Sequence, residues 1–298
     1  MTVQEVLRLG RIETLDREVI IGAVLKKDRT FLLAHPEAHV SKRQAEKIKR
    51  LIKERETNKP LAYILGKKEF FNLPFSVNRF TLIPRPETEL LVESALNHIK
   101  HQISNIKHEK IVVVDVGTGS GNIIISIAKH FQDSKYKDPN SPYHLIPNTY
   151  HLFGIDISKR ALQVAQKNTK RHSVEDKISF VQSDLLKNIQ RKLNRFDELL
   201  VIANLPYLSH KLYTETEPTV QNFEPKTALV SGVDGLDHYR RLLVQLRTLT
   251  KAKKVSFWLE ISPEQAILIP NLLSEQDIAH FQILADLTGR PRLVTGSF

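Results

Sequence analysis

From residue 111 to the C-terminus, short runs of valine, isoleucine and leucine alternate with stretches of helical period. "IVVVDV" leads through "GTGSG" into "NIIISIAKHF", and "YHLFGID" leads into "SKRALQVAQKNTKRH". "KISFVQSD" and "ELLVIAN" follow, then "LDHYRRLLVQLRTLT", "KKVSFWLEI" and "PEQAILIPNLLS". Short β-branched and aliphatic runs bounded by turn residues read as strands, and the longer amphipathic stretches between them as helices. A strand that is apolar at nearly every position must be buried on both faces. That happens where helices cover a mostly parallel sheet from either side. The last two runs, "FQILADL" and "PRLVTG", lie too close together for a helical crossover, so one of them is expected to be antiparallel. The expected fold class is α/β, with a Rossmann-like sheet of seven strands.

The chain before this alternation has a different character. Residues 1–65 are expected to form a small helical domain. In "TLDREVIIGAVLKKD", Leu15, Val19, Ile20, Ala23 and Val24 fall at helical spacing with Thr14 as a candidate N-cap. In "SKRQAEKIKRLIKERE", Ser41 precedes a stripe of Ala45, Ile48, Leu51 and Ile52, and the other faces are densely basic. Residues 66–84, "GKKEFFNLPFSVNRFTLIP", are rich in aromatic and β-branched residues around "NLP" and are expected to form a β-hairpin linker. The third domain is then 85–298. Within it, residues 132–149 are polar and proline-bearing and read as a surface insertion.

Net charge bears on partners. The chain carries a formal charge of +11, and residues 1–80 hold 17 Lys/Arg against 10 Asp/Glu. That imbalance suits a polyanion, or a protein bound to one, and equally suits a solvated surface. There is no cysteine. Disulfides, thiolate metal sites and thiol nucleophiles are therefore excluded, and no metal site is expected. The longest apolar runs, such as "VIIGAVL" from Val19 to Leu25, are too short to span a membrane, so a cytoplasmic monomer is the expectation.

The chemistry sits at the strand ends. Gly117, Gly119 and Gly121 lie between a strand and a helix, where absence of Cβ lets backbone N–H groups approach a ligand closely. A glycine-rich loop alone is also compatible with a tight turn or a dinucleotide fingerprint. Here the spacing is G-x-G-x-G, and Asp115 precedes the first glycine by two. A carboxylate there would repel a pyrophosphate but can neutralise an ammonium group, which suits the amino-acid half of S-adenosylmethionine. Asp156 ends the next strand and can accept from both ribose hydroxyls. It follows Gly119 by 37 residues, and the 132–149 insertion accounts for the excess over the usual spacing. Asp184 follows the third strand, where it can accept from the adenine amino group while Leu185 packs on the ring.

The fourth strand delivers "NLPY" to the same edge. An amide or exocyclic amine nitrogen is a poor nucleophile because its lone pair is delocalised. Two acceptors on its two N–H bonds would fix its orientation. Asn204 offers a side-chain oxygen and Leu205 a backbone carbonyl. Pro206 stiffens the loop, and Tyr207 can stack on a planar group.

This motif resembles the (N/D)PPY signature of methyltransferases acting on nitrogen. The wider chain resembles the HemK/PrmC family, protein-(glutamine-N5) methyltransferases of peptide chain release factors. The resemblance runs through "PLAYILGKKEFFNLPFSVNRFTLIPRPETELLVESAL", "VVDVGTGSGNIIISIA", "GIDISKRALQVAQKN", "IANLPYLS" and "EPKTALVSGVDGLDHYRRLL". It implies a class I methyltransferase sheet and S-adenosyl-L-methionine as methyl donor. The implied acceptor is the glutamine of the GGQ loop of a release factor, with the N-terminal helices helping to hold that partner. The family's cofactor contacts carry over to Gly117, Thr118, Gly119, Ser120, Gly121, Asp156, Leu185 and Asn204, and its glutamine contacts to Asn204, Leu205, Pro206 and Tyr207. The family usually has proline where Leu205 stands, and "NLPY" is also carried by ribosomal RNA adenine-N6 dimethyltransferases. A nucleic-acid adenine-N6 methyltransferase is therefore the alternative reading, and direct nucleic-acid binding stays open.

Overall fold

A computed structural model describes residues 1–102, 110–132, 150–249 and 254–298. The expected 132–149 insertion falls, apart from Gln132, outside the described residues. The chain divides into two compact units. One comprises Met1–Lys67 with Thr216–Glu224, the other Lys68–Glu215 with Pro225–Phe298.

The first unit is helical, with segments Val3–Val6, Thr14–Leu25, Arg29–Ala34, Lys42–Glu56, Leu61–Leu65 and Pro218–Phe223. Ile20, Ile21, Leu32, Val40, Ile48 and Ile52 form its core. Ser41 caps its helix in a reciprocal box with Gln44, and the Ala45, Ile48, Leu51, Ile52 stripe is buried as expected. The Thr14 helix departs from expectation. Thr14 is its first helical residue, and the N-cap, Glu13, makes no side-chain cap bond. Leu15 and Val19 face water, while Ile21 and even Glu18 are buried. The reason is that periodicity marks a stripe about 100° wide, and neighbouring helices decide where its edges fall. Here Glu18 turns inward and meets Arg29 at 2.7 Å.

The second unit is built on a seven-stranded sheet. Its strands are β3 (Ile111–Val116), β4 (Tyr150–Asp156), β5 (Ile178–Gln182), β6 (Glu198–Ala203), β7 (Lys254–Glu260), β8 (Phe281–Ala285) and β9 (Pro291–Ser297). The spatial order is β5-β4-β3-β6-β7-β9-β8. The first five run parallel, and β9 is antiparallel to both β7 and β8. Alternation along β3 splits its side chains between two cores. Val112, Val114 and Val116 pack on one face, Ile111 and Val113 on the other. The first face is covered by the helix Asp237–Leu249, the second by Glu89–Gln102 and Asn122–Phe131. Among the described residues, no helix is long and apolar enough to cross a membrane.

Ahead of the sheet, β1 (Lys67–Phe70) and β2 (Leu73–Ser76) form a two-stranded sheet. Their two-residue link, Phe71–Asn72, has both residues at positive φ, as a twisted hairpin requires. Asn168, fully buried on the helix Lys159–His172, ties this hairpin to the glycine loop. Its side chain accepts from Ser76 N (2.7 Å) and donates to Ser76 O (3.0 Å) and Ser120 O (2.9 Å). Asn168→Ala leaves these backbone groups unpaired away from water. It is expected to destabilise the protein by about 2–5 kcal/mol, read as a drop in the thermal unfolding midpoint.

Candidate active site

Parallel strands bring their carboxyl ends to one edge, and the ends of β3, β4, β5 and β6 wall a cavity of about 320 Å³ there. Gly117, Thr118, Gly119 and Ser120 form one side. The loop is pinned to β4, because Gly117 N and Thr118 N both donate to Ile155 O at 2.8 Å. At Gly117, with φ +77°, an added Cβ would come to 3.0 Å of Leu205 Cδ2. The Leu205 side chain thus fills the space against that glycine and joins the core of its face. A leucine is accommodated where the resemblance led one to expect proline.

Asp156 lies on the cavity wall with its carboxylate already oriented. Oδ2 accepts from Gly119 N at 2.9 Å and Oδ1 from Ser158 N at 2.8 Å. Each oxygen keeps a lone pair for a further donor. Burial pushes this carboxyl above its usual range, partly offset by those two bonds. Asp184 and Leu185 also line the cavity, and Asp184 is ion-paired with Arg241.

Three expected site residues are placed elsewhere than on the wall. Asp115 is fully buried under the loop. Its Oδ2 accepts from Thr118 Oγ1 at 2.6 Å, and its Oδ1 has no hydrogen-bond partner. Burial pushes its carboxyl up to about 7. Gly121 caps the following helix, and its backbone packs so closely on Ile125 and Ala165 that a Cβ would lie 2.8 Å from Ile125 Cδ1. Tyr207 is partly buried, and its hydroxyl is pushed up to about 12, first by burial and then by the Glu260 carboxylate. Beyond Pro206, Leu208 N donates to Leu229 O and Ser231 N to Leu208 O, both at 2.9 Å, which draws the chain along the Leu229–Ser231 segment.

Asn204, Leu205 and Pro206 are on the wall. Asn204 Nδ2 donates to Thr88 Oγ1 at 2.9 Å, and Thr88 belongs to the turn Pro86–Thr88 within "PRPETE". Glu260 ends β7, and the Thr88 hydroxyl and the Asn204 side chain both favour its charged form. Its carboxyl is fully buried, Oε2 has no partner, and burial pushes its pKa up to about 7. With Nδ2 engaged by Thr88, Oδ1 is the Asn204 atom left to accept a further donor at the cavity wall.

Sequence reasoning missed Thr88 and Glu260. The signal for Glu260 was present. "KKVSFWLEI" ends its strand on an acid, as "YHLFGID" does, and strand-tip reasoning extended to this strand would have found it. Thr88 carried no such signal, because a threonine in a proline-flanked turn is ordinary.

The residues fit a nucleoside joined to an ammonium-bearing group. Glycines without Cβ at Gly117 and Gly119 admit a ligand against the loop backbone. Asp156 presents two oriented acceptors, and beneath the loop Asp115 Oδ1 has no hydrogen-bond partner.

Comparison with known proteins finds relatives along nearly the whole chain. The family model described as PrmC N-terminal domain matches residues 5–66, and that described as methyltransferase domain matches 107–229. The release factor glutamine methyltransferase of Clostridium botulinum is 33% identical over 94% of this chain and 90% of its own length. The protein of the same name from Bacillus cereus is 32% identical over 93% of this chain and 90% of its own. Among solved structures, the hMettl16 catalytic domain in complex with MAT2A 3'UTR hairpin 1 shares the fold. Its TM-score is 0.53 at 16% identity, covering 90% of this chain and 84% of that one. Identity at this level along nearly the whole length of both chains, together with both matched domains, means that the chain belongs to the release factor glutamine methyltransferase family.

Proposed function

We propose that the protein transfers a methyl group from S-adenosyl-L-methionine to the side-chain amide nitrogen, N5, of the glutamine in the GGQ motif of a peptide chain release factor. The observation that carries this reading is the Asn204 amide. Its nitrogen is bonded to Thr88 and its oxygen is left for the cavity. That oxygen and the Leu205 carbonyl accept the two N–H bonds of a substrate amide, which fixes the plane of the nitrogen. Pro206 holds the two acceptors in register.

Asp156 holds the ribose hydroxyls, Asp184 and Leu185 take the adenine, and the Gly117–Ser120 loop with Asp115 beneath it receives the amino-acid end. When bound, the cofactor supplies an electrophilic methyl group on a sulfonium sulfur. The protein's contribution is orientation and charge rather than strong base catalysis, because the Asn204 amide is neutral and too weak a base to take up a proton. The product nitrogen releases its proton to water after transfer. Residues 1–65 are assigned to holding the release factor, 66–84 to the linker and 85–298 to the transfer domain. The basic character of the first of these suits a partner that works on a polyanion.

Methyl-labelled cofactor offered with a release factor, its GGQ→GGA variant, RNA and DNA tests the assignment. Label is expected on the release factor alone and lost in the GGA variant. Label that survives the GGA change overturns the glutamine assignment. Label on nucleic acid alone replaces it with adenine-N6 transfer.

A further inference from the structure

We propose that Glu260 and Thr88 are positioning residues that lock the Asn204 amide with its oxygen turned to the substrate, so that the clamp is set before the substrate arrives. This rests on the reading of Asn204 as the acceptor of a substrate N–H.

The register of the sheet creates the pair. β6 and β7 run parallel with Ala203 opposite Leu259, so the next residues, Asn204 and Glu260, stand side by side at the carboxyl edge. Side chains at matched positions of neighbouring strands point to the same face. Thr88 arrives from the Pro86–Thr88 turn, accepts from Asn204 Nδ2 at its Oγ1, and favours the charged form of Glu260, as a hydroxyl turned toward a carboxylate does. A threonine hydroxyl has one hydrogen. With that hydrogen on Glu260, only lone pairs face Asn204, and they accept from an amide nitrogen but repel an amide oxygen. The Glu260 carboxylate adds to the same preference, since the Asn204 side chain beside it favours its charged form and a carboxylate repels an amide oxygen. The flipped amide, with Oδ1 inward, would set oxygen against oxygen twice and present N–H groups to a substrate that itself brings N–H groups. Glu260 is not on the cavity wall, so it acts through Asn204. Its own backbone is held, because Tyr239 donates its hydroxyl to the Glu260 carbonyl.

The charge environment makes the lock sensitive to pH. The groups acting on the Glu260 carboxyl are Glu87 from the same turn as Thr88 and Arg292 from β9, with Tyr207 after the NLP turn and Tyr239 from the helix Asp237–Leu249. Burial outweighs Arg292 and the Thr88 and Asn204 side chains, and carries the pKa up to about 7. The ionised form is acceptor-only and enforces the lock. A protonated carboxyl can donate to Thr88 Oγ1 instead, which frees the threonine hydrogen and removes the preference. The ionised fraction falls as pH falls through about 7, and the lock weakens in that direction.

The test uses the full chain with Thr88→Val, Thr88→Ser and Glu260→Gln. Thr88→Val and Glu260→Gln are expected to lower kcat on release factor by roughly 10- to 100-fold, with the cofactor Kd changed by less than about threefold. Thr88→Ser restores the hydroxyl and is expected to keep near wild-type kcat. On an Asn204→Ala background, Thr88→Val adds no further loss, because the group it positions is gone. Full kcat in Thr88→Val, or a loss that multiplies on the Asn204→Ala background, overturns the proposal.

A second readout needs no substrate and separates this proposal from the functional assignment. The Asn204 side-chain ¹⁵N–¹H signals, identified by their loss in Asn204→Ala, are expected to titrate with a midpoint near the Glu260 value of about 7. In Glu260→Gln they should be flat over the same range. Titration that persists unchanged in Glu260→Gln overturns the lock even if the enzyme methylates its substrate. Titration that vanishes supports it even if the substrate assignment fails. Should Glu260→Gln not fold, Thr88→Val decides by the same signals: a titration as large as in the wild type overturns the proposal, and a reduced one supports it.

Discussion

Replacing Asn204 by alanine is expected to lower methyl transfer by about 100- to 1,000-fold while the cofactor Kd moves by less than about fivefold. The asymmetry follows from the geometry. Asn204 Nδ2 is bonded to Thr88, so the free part of the side chain is Oδ1, and Oδ1 is the neutral acceptor at the cavity wall. Removing it leaves the Leu205 carbonyl as the remaining acceptor and lets the substrate amide rotate. A rotated amide places its nitrogen out of line, and misplacement of a reacting atom by about 1 Å costs on the order of 100-fold. The ribose-binding carboxylate of Asp156 and the pinned Gly117–Ser120 loop are untouched, so cofactor affinity persists. Initial rates with release factor, paired with calorimetric titration of the cofactor, measure both numbers. Full activity in the variant would refute the role assigned to Asn204.

Gly235→Ala is expected to be nearly as damaging to turnover, by at least about 100-fold, although Gly235 lies outside the cavity wall. Gly235 sits at φ +81°, where an added Cβ would overlap the carbonyl oxygen of Tyr207 and approach Gln265 Nε2 to 3.1 Å. The obstruction is backbone, which cannot rotate away as a side-chain tip would. Gln265 also donates to the Gly235 carbonyl at 2.8 Å and resists displacement of that turn. The path of least resistance moves Tyr207, and with it the "NLPY" turn that carries both acceptors. Gly289 supplies the control. Its φ is also +81°, but a Cβ there would meet nothing within 4 Å. Gly289→Ala therefore isolates the conformational cost, about 1–2 kcal/mol of stability, with activity retained. Rates and unfolding midpoints of the two variants separate backbone strain from displacement of the site. Equal activity in both would show that the contact with Tyr207 does not matter.

The legibility of this protein in its sequence was uneven, for reasons that individual residues make plain. The seven strand-forming runs were readable because β-branched residues buried on both faces leave no other economical fold, and the closeness of the last two runs already implied that one was antiparallel. Strand ends were readable as a site because parallel strands collect their carboxyl ends at one edge. The cavity there is lined by Asp156, Asp184 and Asn204 together. Asp115 looked equivalent to these acids in sequence. Yet it points beneath the loop, since alternation along β3 and the bond to Thr118 decide which side of the chain it faces. In the helical unit, the period of the Thr14–Leu25 segment identified a helix but not its buried face, because Glu18 is inside and Leu15 outside.

Local pattern by itself determined the class of fold, the glycine loop and the strand end on which the amide chemistry falls. These depend on residues close in sequence, and period and spacing report such residues directly. Tertiary structure alone decided what holds Asn204. Thr88 is 116 residues away along the chain, and Glu260 is on a strand whose register with β6 no local pattern encodes. An amide oxygen and an amide nitrogen are nearly the same size. Which one faces the substrate depends on hydrogen-bond partners brought together by sheet register and by a turn from another part of the chain.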